Sequence, residues 1–150
     1  MILLSRLSDY AIVLICAMAE SQDEIFSSRK LHESTHISHS AIMKILKLLT
    51  SGELVTSVRG AKGGYSVTSE PKEISILDIV KAIDGPISIT LCSHKRKDNP
   101  CIFEPHCTAK RGWIMVNNAL QDTLFRFTIA DFIVAHAESN NKGVQDDFKT

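Results

Sequence analysis

Apolar residues return every three or four positions over about residues 7–19, where Leu7, Tyr10, Ala11, Leu14, Ala17 and Met18 form one stripe. This spacing predicts an amphipathic helix, with Ser5 or Ser8 placed to cap it. Two shorter helices follow. Ser27 is an N-cap candidate, with Phe26 before it and Leu31 after it spaced as a hydrophobic staple. Ser38, Ile37 and Ile42 repeat the device, and Ser34, Thr35 and His36 make a polar turn between the two helices. Over about residues 38–50, Ile42, Ile45, Leu46 and Leu49 share one face, while Ser40, Met43, Lys44 and Lys47 fall on the opposite face. Gly52 is placed to end this helix.

The period then changes. Two β-prone runs, about residues 54–58 and 65–68, flank the glycine-rich stretch Arg59-Gly60-Ala61-Lys62-Gly63-Gly64 and predict a hairpin. An amphipathic helix over about residues 75–83 ends at Asp84-Gly85-Pro86. After it, residues 87–107 hold Pro100, Pro105 and a charged run and predict a loop. A long helix is expected over about residues 108–127, capped by Thr108, with Trp113, Val116, Leu120, Leu124 and Phe127 along a broad stripe. Thr128 caps a last short helix, and the chain after Glu138 turns polar and is expected to be mobile. The resulting fold class is mainly α with a small β-hairpin: a winged helix–turn–helix plus a long C-terminal helix. The expected division is a DNA-binding unit at 1–86, a cysteine loop at 87–107, a long-helix region at 108–138 and a tail at 139–150.

Charge enters only locally, because 17 basic residues balance 17 acidic ones. Between Ser38 and Tyr65 the cations are Lys44, Lys47, Arg59 and Lys62, against the single acid Glu53. A helix face of serines and lysines suits the major groove, and the N-terminus at Ser38, His39 and Ser40 suits a phosphate. Ser28, Met43 and the wing residues Arg59 and Lys62 complete the candidate DNA surface. A solvated helix face beside an ordinary hairpin has the same composition; the order of elements favours DNA. Gly60-Ala61-Lys62-Gly63-Gly64 lacks the Gly-Lys-Ser/Thr ending of a phosphate-cradling loop, and no nucleophile–base pairing or paired carboxylates stand at a telling spacing, so an enzyme is not expected. The apolar run from Ala11 to Ala19 falls short of the roughly 20 residues a bilayer span needs, and a cytoplasmic protein is expected.

Of the 4 cysteines, Cys16 sits within the first apolar helix and reads as a small core residue. Cys92, Cys101 and Cys107 lack the close pairs usual for structural zinc, and three soft thiols on one loop suit an iron–sulphur cluster. A helix dipole at Cys107 would favour its thiolate. His94, His106, Glu104 or an acid from elsewhere could supply a fourth ligand. Three bystander thiols, or a metal-free thiol switch, fit the spacing equally.

The segment from Ile37-Ser38-His39-Ser40 through Lys47, with Leu54-Val55-Thr56-Ser57-Val58-Arg59-Gly60-Ala61-Lys62-Gly63-Gly64-Tyr65, closely resembles the Rrf-type winged-helix regulators, which include IscR, NsrR and RirA. Leu7-Ser8-Asp9-Tyr10-Ala11, Ile83-Asp84-Gly85-Pro86-Ile87 and Thr128-Ile129-Ala130-Asp131 extend the resemblance over about residues 2–135. Within that family, the run from Cys101-Ile102-Phe103-Glu104 to Cys107, with Arg111-Gly112-Trp113, looks most like regulators of the SUF iron–sulphur assembly operon. The resemblance implies ligation of a [2Fe–2S] cluster by Cys92, Cys101 and Cys107, a homodimer through a long C-terminal dimerisation helix in the region 108–138, with Trp113, Val116, Leu120, Leu124 and Phe127 as its dimerisation residues, and wings touching the minor groove. Lys110 stands where IscR has its ligand histidine; the acid that NsrR-type members take from the partner subunit maps onto Asp9, which could equally be a helix N-terminal charge. Met43 replaces IscR's base-discriminating glutamate, so operator preference does not carry over. The function expected is a dimeric repressor of iron–sulphur assembly genes. The alternatives are a cluster-free or thiol-redox regulator of the same fold, and a metal-binding interaction protein or cluster carrier.

Overall fold

A computed structural model describes residues 4–21, 24–60, 63–93, 101–103 and 106–141. The first helix, α1 (Arg6–Ala19), starts where Ser5 Oγ accepts the Ser8 N–H at 3.1 Å, and it buries Ala11, Leu14, Ile15 and Met18. Helix α2 (Ser28–Thr35) is capped by Ser27 Oγ, which accepts the Lys30 N–H at 3.1 Å, and Phe26 and Leu31 are both buried. Its chain reverses at His36, with a left-handed φ of 57°. Helix α3 (His39–Ser51) buries Ile42, Ile45, Leu46 and Leu49. Ser38 precedes it without the expected capping bond; its hydroxyl lies 3.4 Å from that of Ser40 instead. Gly52 is the C-cap, but the left-handed turn falls on Glu53, with a φ of 61°. Gly52 is small for another reason: a Cβ there would stand 2.7 Å from that of Ala82.

The hairpin pairs β1 (Val55–Val58) with β2 (Gly64–Val67) antiparallel, Val55 opposite Val67 and Val58 opposite Gly64. Phe26 extends this sheet by exchanging two backbone bonds with Tyr65, at 2.8 and 2.9 Å. Only glycine fits next to Tyr65, because a Cβ on Gly64 would approach the Phe26 carbonyl oxygen to 2.6 Å. Helix α4 (Ile76–Asp84), capped by Ser75, adds Ile76, Leu77, Ile79 and Val80 to the buried set. The Asp84 carboxylate accepts both the Ser5 and Ser8 hydroxyls at 2.7 Å, pinning the start of α1 to the end of α4.

The C-terminal helices are α5 (Lys110–Arg126) and α6 (Ile129–Asn141). Thr108 does not cap α5; the N-cap is Ala109, which offers no side-chain acceptor. The expected single stripe along α5 divides. Leu124 packs on the core, and Leu120 and Leu124 face Val80 and Ile87, whereas Trp113, Val116 and Phe127 are exposed. Phe127 also lies past the helix end. What α5 buries is polar: Asn117 Oδ1 accepts the Ile89 N–H at 3.1 Å, and Gln121 donates to the Ile87 carbonyl at 3.2 Å. Helix α6 is longer than expected, running past Glu138 to Asn141, since polar residues continue a helix without any apolar period. At its start Asp131 accepts the Thr128 N–H and O–H at 2.7 and 2.8 Å, which hold its carboxyl below the ordinary range.

Two backbone bonds join the halves of the chain. Ile76 N–H donates to the Phe127 carbonyl at 2.9 Å, and Ile129 N–H donates to the Ile74 carbonyl at 3.0 Å. Ile129 itself is fully buried in the same core as α1, α3 and α4. No helix among the described residues is long and apolar enough to cross a membrane.

Candidate DNA interface and cysteine segment

Burial of Ile42, Ile45, Leu46 and Leu49 turns the rest of α3 outwards by helix geometry. Ser38, His39, Ser40, Met43, Lys44 and Lys47 are all exposed. Beside them the wing stands away from the helix, leaving an open groove of about 650 Å³ bordered by Met43, Lys44, Lys47, Ser57 and Tyr65. A second hollow, of about 480 Å³, continues from Met43 and Tyr65 past Ser28 to Arg59 and Gly60. Of the sequence-derived surface, Ser28, Met43, Lys44, Lys47 and Arg59 border these adjoining hollows, Ser38, His39 and Ser40 stand exposed at the start of α3, and Lys62 lies outside the described residues. Gly60 takes a φ of 131°, a conformation that a side chain would strain, and it lets the chain turn directly after Arg59.

Two contributors escaped the sequence reading. Ser57 points into the groove from β1, and Tyr65 lines both hollows from β2. Ser57 had a signal, since it stands two residues after buried Val55 and so on the same face of the strand, the one turned towards α3.

This face carries uncompensated positive charge. Arg29, Lys30 and Lys72 are paired with Glu33, Glu24 and Glu70, whereas among the described residues Lys44, Lys47 and Arg59 have no ion-pair partner. Uncompensated cations on a concave surface are what a polyanionic backbone requires.

The cysteine segment is anchored at both ends. A 3₁₀ turn at Leu91–Ser93 packs on α5, with the Ser93 hydroxyl donating to the Thr90 carbonyl at 2.9 Å. At the other end the Lys110 N–H donates to the Cys107 carbonyl at 3.5 Å as α5 begins. Because α5 starts at Lys110, Cys107 stands outside the helical N-terminus, and the dipole expected to act on its thiol is displaced from it. Cys101 and Cys107 are half-buried free thiols, and Ile102 and Phe103 between them are exposed. The Cys92 side chain, His94 and Glu104 lie outside the described residues, and among the described residues no three potential ligands are gathered. In donor chemistry, three sulphurs within one short segment still suit an iron–sulphur cluster.

Cys16 differs in kind. Burial pushes its thiol up to about 11, and the Glu20 carboxylate adds to the rise. It lines a cleft of about 610 Å³ between α1 and α6 that also holds Asp9, and none of the described residues of the cysteine segment borders that cleft. Among the described residues, Asp9 thus shares a cleft with Cys16 and not with Cys101 or Cys107 of its own chain; His106, by contrast, adjoins Cys107 in the segment.

Comparison with known proteins agrees with this architecture. The family model described as Rrf2, iron-dependent transcriptional regulator, matches residues 4–135. The HTH-type transcriptional regulator NsrR of Oceanobacillus iheyensis is 30% identical over 134 residues, covering 87% of this chain and 88% of that protein. The solved structure of CymR, the global cysteine regulator of B. subtilis, superposes with a TM-score of 0.70 at 26% identity, covering 90% of this chain and 98% of that one. IscR of T. potens shares the fold, with a TM-score of 0.68 at 20% identity over 98% of this chain and 95% of its own. These relatives are regulators rather than enzymes, and the helix–turn–helix is a DNA-binding motif. The chain belongs to the Rrf2 family of transcriptional regulators.

Proposed function

We propose that the protein is a homodimeric, cytoplasmic repressor of iron–sulphur cluster assembly genes, of the SUF-regulator kind, that senses through a [2Fe–2S] cluster. The observation that carries this reading is positional. Two half-buried free thiols, Cys101 and Cys107, lie immediately before a helix whose Trp113, Val116 and nearby Phe127 are left exposed by their own chain. Exposed apolar patches of this kind mark association surfaces. In this reading Cys92, Cys101 and Cys107 hold the cluster, with Asp9 of the partner subunit as the fourth ligand. When bound, the cluster supplies a reversible and chemically labile cross-link among thiolates.

The chain's own residues carry the consequence to DNA. Asn117 and Gln121 tie residues 87–89 to α5, Leu124 seats α5 on the core, and the bonds at Ile74, Ile76, Phe127 and Ile129 tie it to α4. Helix α4 packs on α3. Residues 1–86 would then read DNA, 87–107 would sense, and 108–138 would set the separation of the two reading helices, which must match half-sites about one helical turn apart. A coupling of about 1–3 kcal/mol is enough for a clear switch.

The test is the affinity of iron-loaded and iron-free protein for the promoter upstream of its own gene, with iron and acid-labile sulphide measured on the same samples. The two forms should differ by about fivefold or more. Equal affinities, or iron-free anaerobic protein, would remove the cluster from the mechanism. The likeness to a cysteine regulator supports a second reading, a metal-free switch working through the thiols of Cys101 and Cys107. That reading predicts iron-free protein whose affinity changes on oxidation.

The DNA face has its own check. Lys47→Ala should weaken binding uniformly across sequences and lower the slope of log affinity against log salt by roughly one, the signature of one lost phosphate contact. An unchanged slope takes Lys47 out of the interface.

A further inference from the structure

We propose that His32, on α2, is a positioning residue for DNA reading: its ring stacks on that of His39 and holds the His39 imidazole at the DNA end of α3. This rests on the assignment of the exposed α3 face to DNA and adds to it a residue outside that face. The two ring centroids are 6.0 Å apart and the planes differ by only 4°. Such a parallel, offset arrangement lies within the range where aromatic pairs attract.

His32 is itself held. Its Nδ1 stands 2.8 Å from the Ile37 carbonyl oxygen, and since a carbonyl can only accept, the proton must sit on Nδ1. The Ile37 side chain is buried, so the acceptor belongs to a fixed part of the turn. His36 adds a second tie, its N–H donating to the His32 carbonyl at 2.9 Å. The chain between α2 and α3 is thus bolted to the His32 ring on one side, and the ring lies parallel to His39 on the other.

His39 is the first residue of α3 and is exposed. Left alone, an exposed imidazole would sample several rotamers and lose that freedom on binding. A stacked ring gives up much of this freedom beforehand, and stacking uses the ring face while the N–H groups lie in the ring plane. Those N–H groups remain available to a phosphate or a base edge, beside the main-chain N–H groups of the α3 N-terminus. Lys44 and Lys47, further along the same face, continue the line of donors.

A double-mutant cycle on the full chain tests this, using a duplex of its own promoter, a scrambled duplex, and the melting temperature of every variant. His32→Ala and His39→Ala should each weaken promoter binding by about five- to tenfold, and the double variant should be no more than about twofold worse than either single one. His32→Phe, which keeps a flat ring but loses the bond to Ile37, should stay within about twofold of the parent. His32→Gln, which can keep that bond but not the stack, should bind like His32→Ala. Additive losses overturn the inference. So does the opposite ranking, with Gln retaining affinity and Phe losing it, because His32 would then serve only the turn. If Lys47→Ala weakens binding while His39→Ala does not, this inference falls and the α3 reading stands. If neither variant changes binding, the α3 reading falls and takes the inference with it.

Discussion

Replacing any one of Cys92, Cys101 and Cys107 by alanine should abolish both iron and acid-labile sulphide in anaerobically purified protein, and should bring its promoter affinity to that of the iron-free parent. The expected change is large because cluster retention is cooperative in its ligands: two thiolates and one ligand from the partner subunit do not hold a centre that needs four donors. Cys16→Ala is the internal control. A thiol pushed up to about 11 stays protonated near neutral pH, and the protonated form neither ligates nor attacks. Iron, sulphide and affinity should therefore match the parent in Cys16→Ala. The resulting affinity shift should lie in the range of about 5- to 150-fold that allosteric couplings span. Iron retained in Cys107→Ala would show that the segment does not ligate it. Iron lost in Cys16→Ala, with Cys107→Ala unaffected, would move the site to the cleft between α1 and α6.

The amino-terminal elements were legible because their signals are local. Ser5 and Ser27 each accept a backbone N–H three residues on, as their placement before apolar periods suggested. The apolar face of α3 and the hairpin followed from periods of 3.6 and 2. The features that escaped are tertiary. The stripe along α5 reads as a dimer surface; what its period does not show is that Leu120 and Leu124 face their own chain and that Asn117 is buried, its Oδ1 accepting the Ile89 N–H. Periodicity marks a covered face without saying which chain covers it. The His32–His39 stack joins two helices across a reversed turn, and no local pattern encodes it. The left-handed residue after α3 is Glu53, and Gly52 serves instead by its small size against Ala82. For the candidate site, residue types and order were readable, but the convergence of the thiols was not. Spacing along a loop sets an upper bound on distance and nothing more.

Ile129→Ala separates stability from signalling. The side chain is fully buried at the first residue of α6, in the core shared with α1, and its own N–H donates to the Ile74 carbonyl. Truncation of a buried Ile of this kind costs about 2–5 kcal/mol, which should appear as an earlier denaturant midpoint with an unchanged slope. A chain of this size typically has about 5–15 kcal/mol of stability, so the variant should remain folded in dilute buffer. The functional effect should be selective. Ile129 and Phe127 flank the point where α5 passes into α6, and their backbone groups are the bonded link to α4. Loosening that link leaves the α3 face and wing intact, so iron-free Ile129→Ala should bind its promoter within about twofold of the iron-free parent. The difference between iron-loaded and iron-free forms should shrink towards none, because the cysteine segment no longer bears on a fixed element. Leu31→Ala is the matched control: an equally buried side chain, remote from the junction in α2, whose loss should cost similar stability and leave that difference in place. An undiminished difference in Ile129→Ala would mean that the signal reaches DNA by another route. Rotation of the paired long helices relative to one another, with each DNA-reading unit moving as a rigid body, would then be the motion to measure.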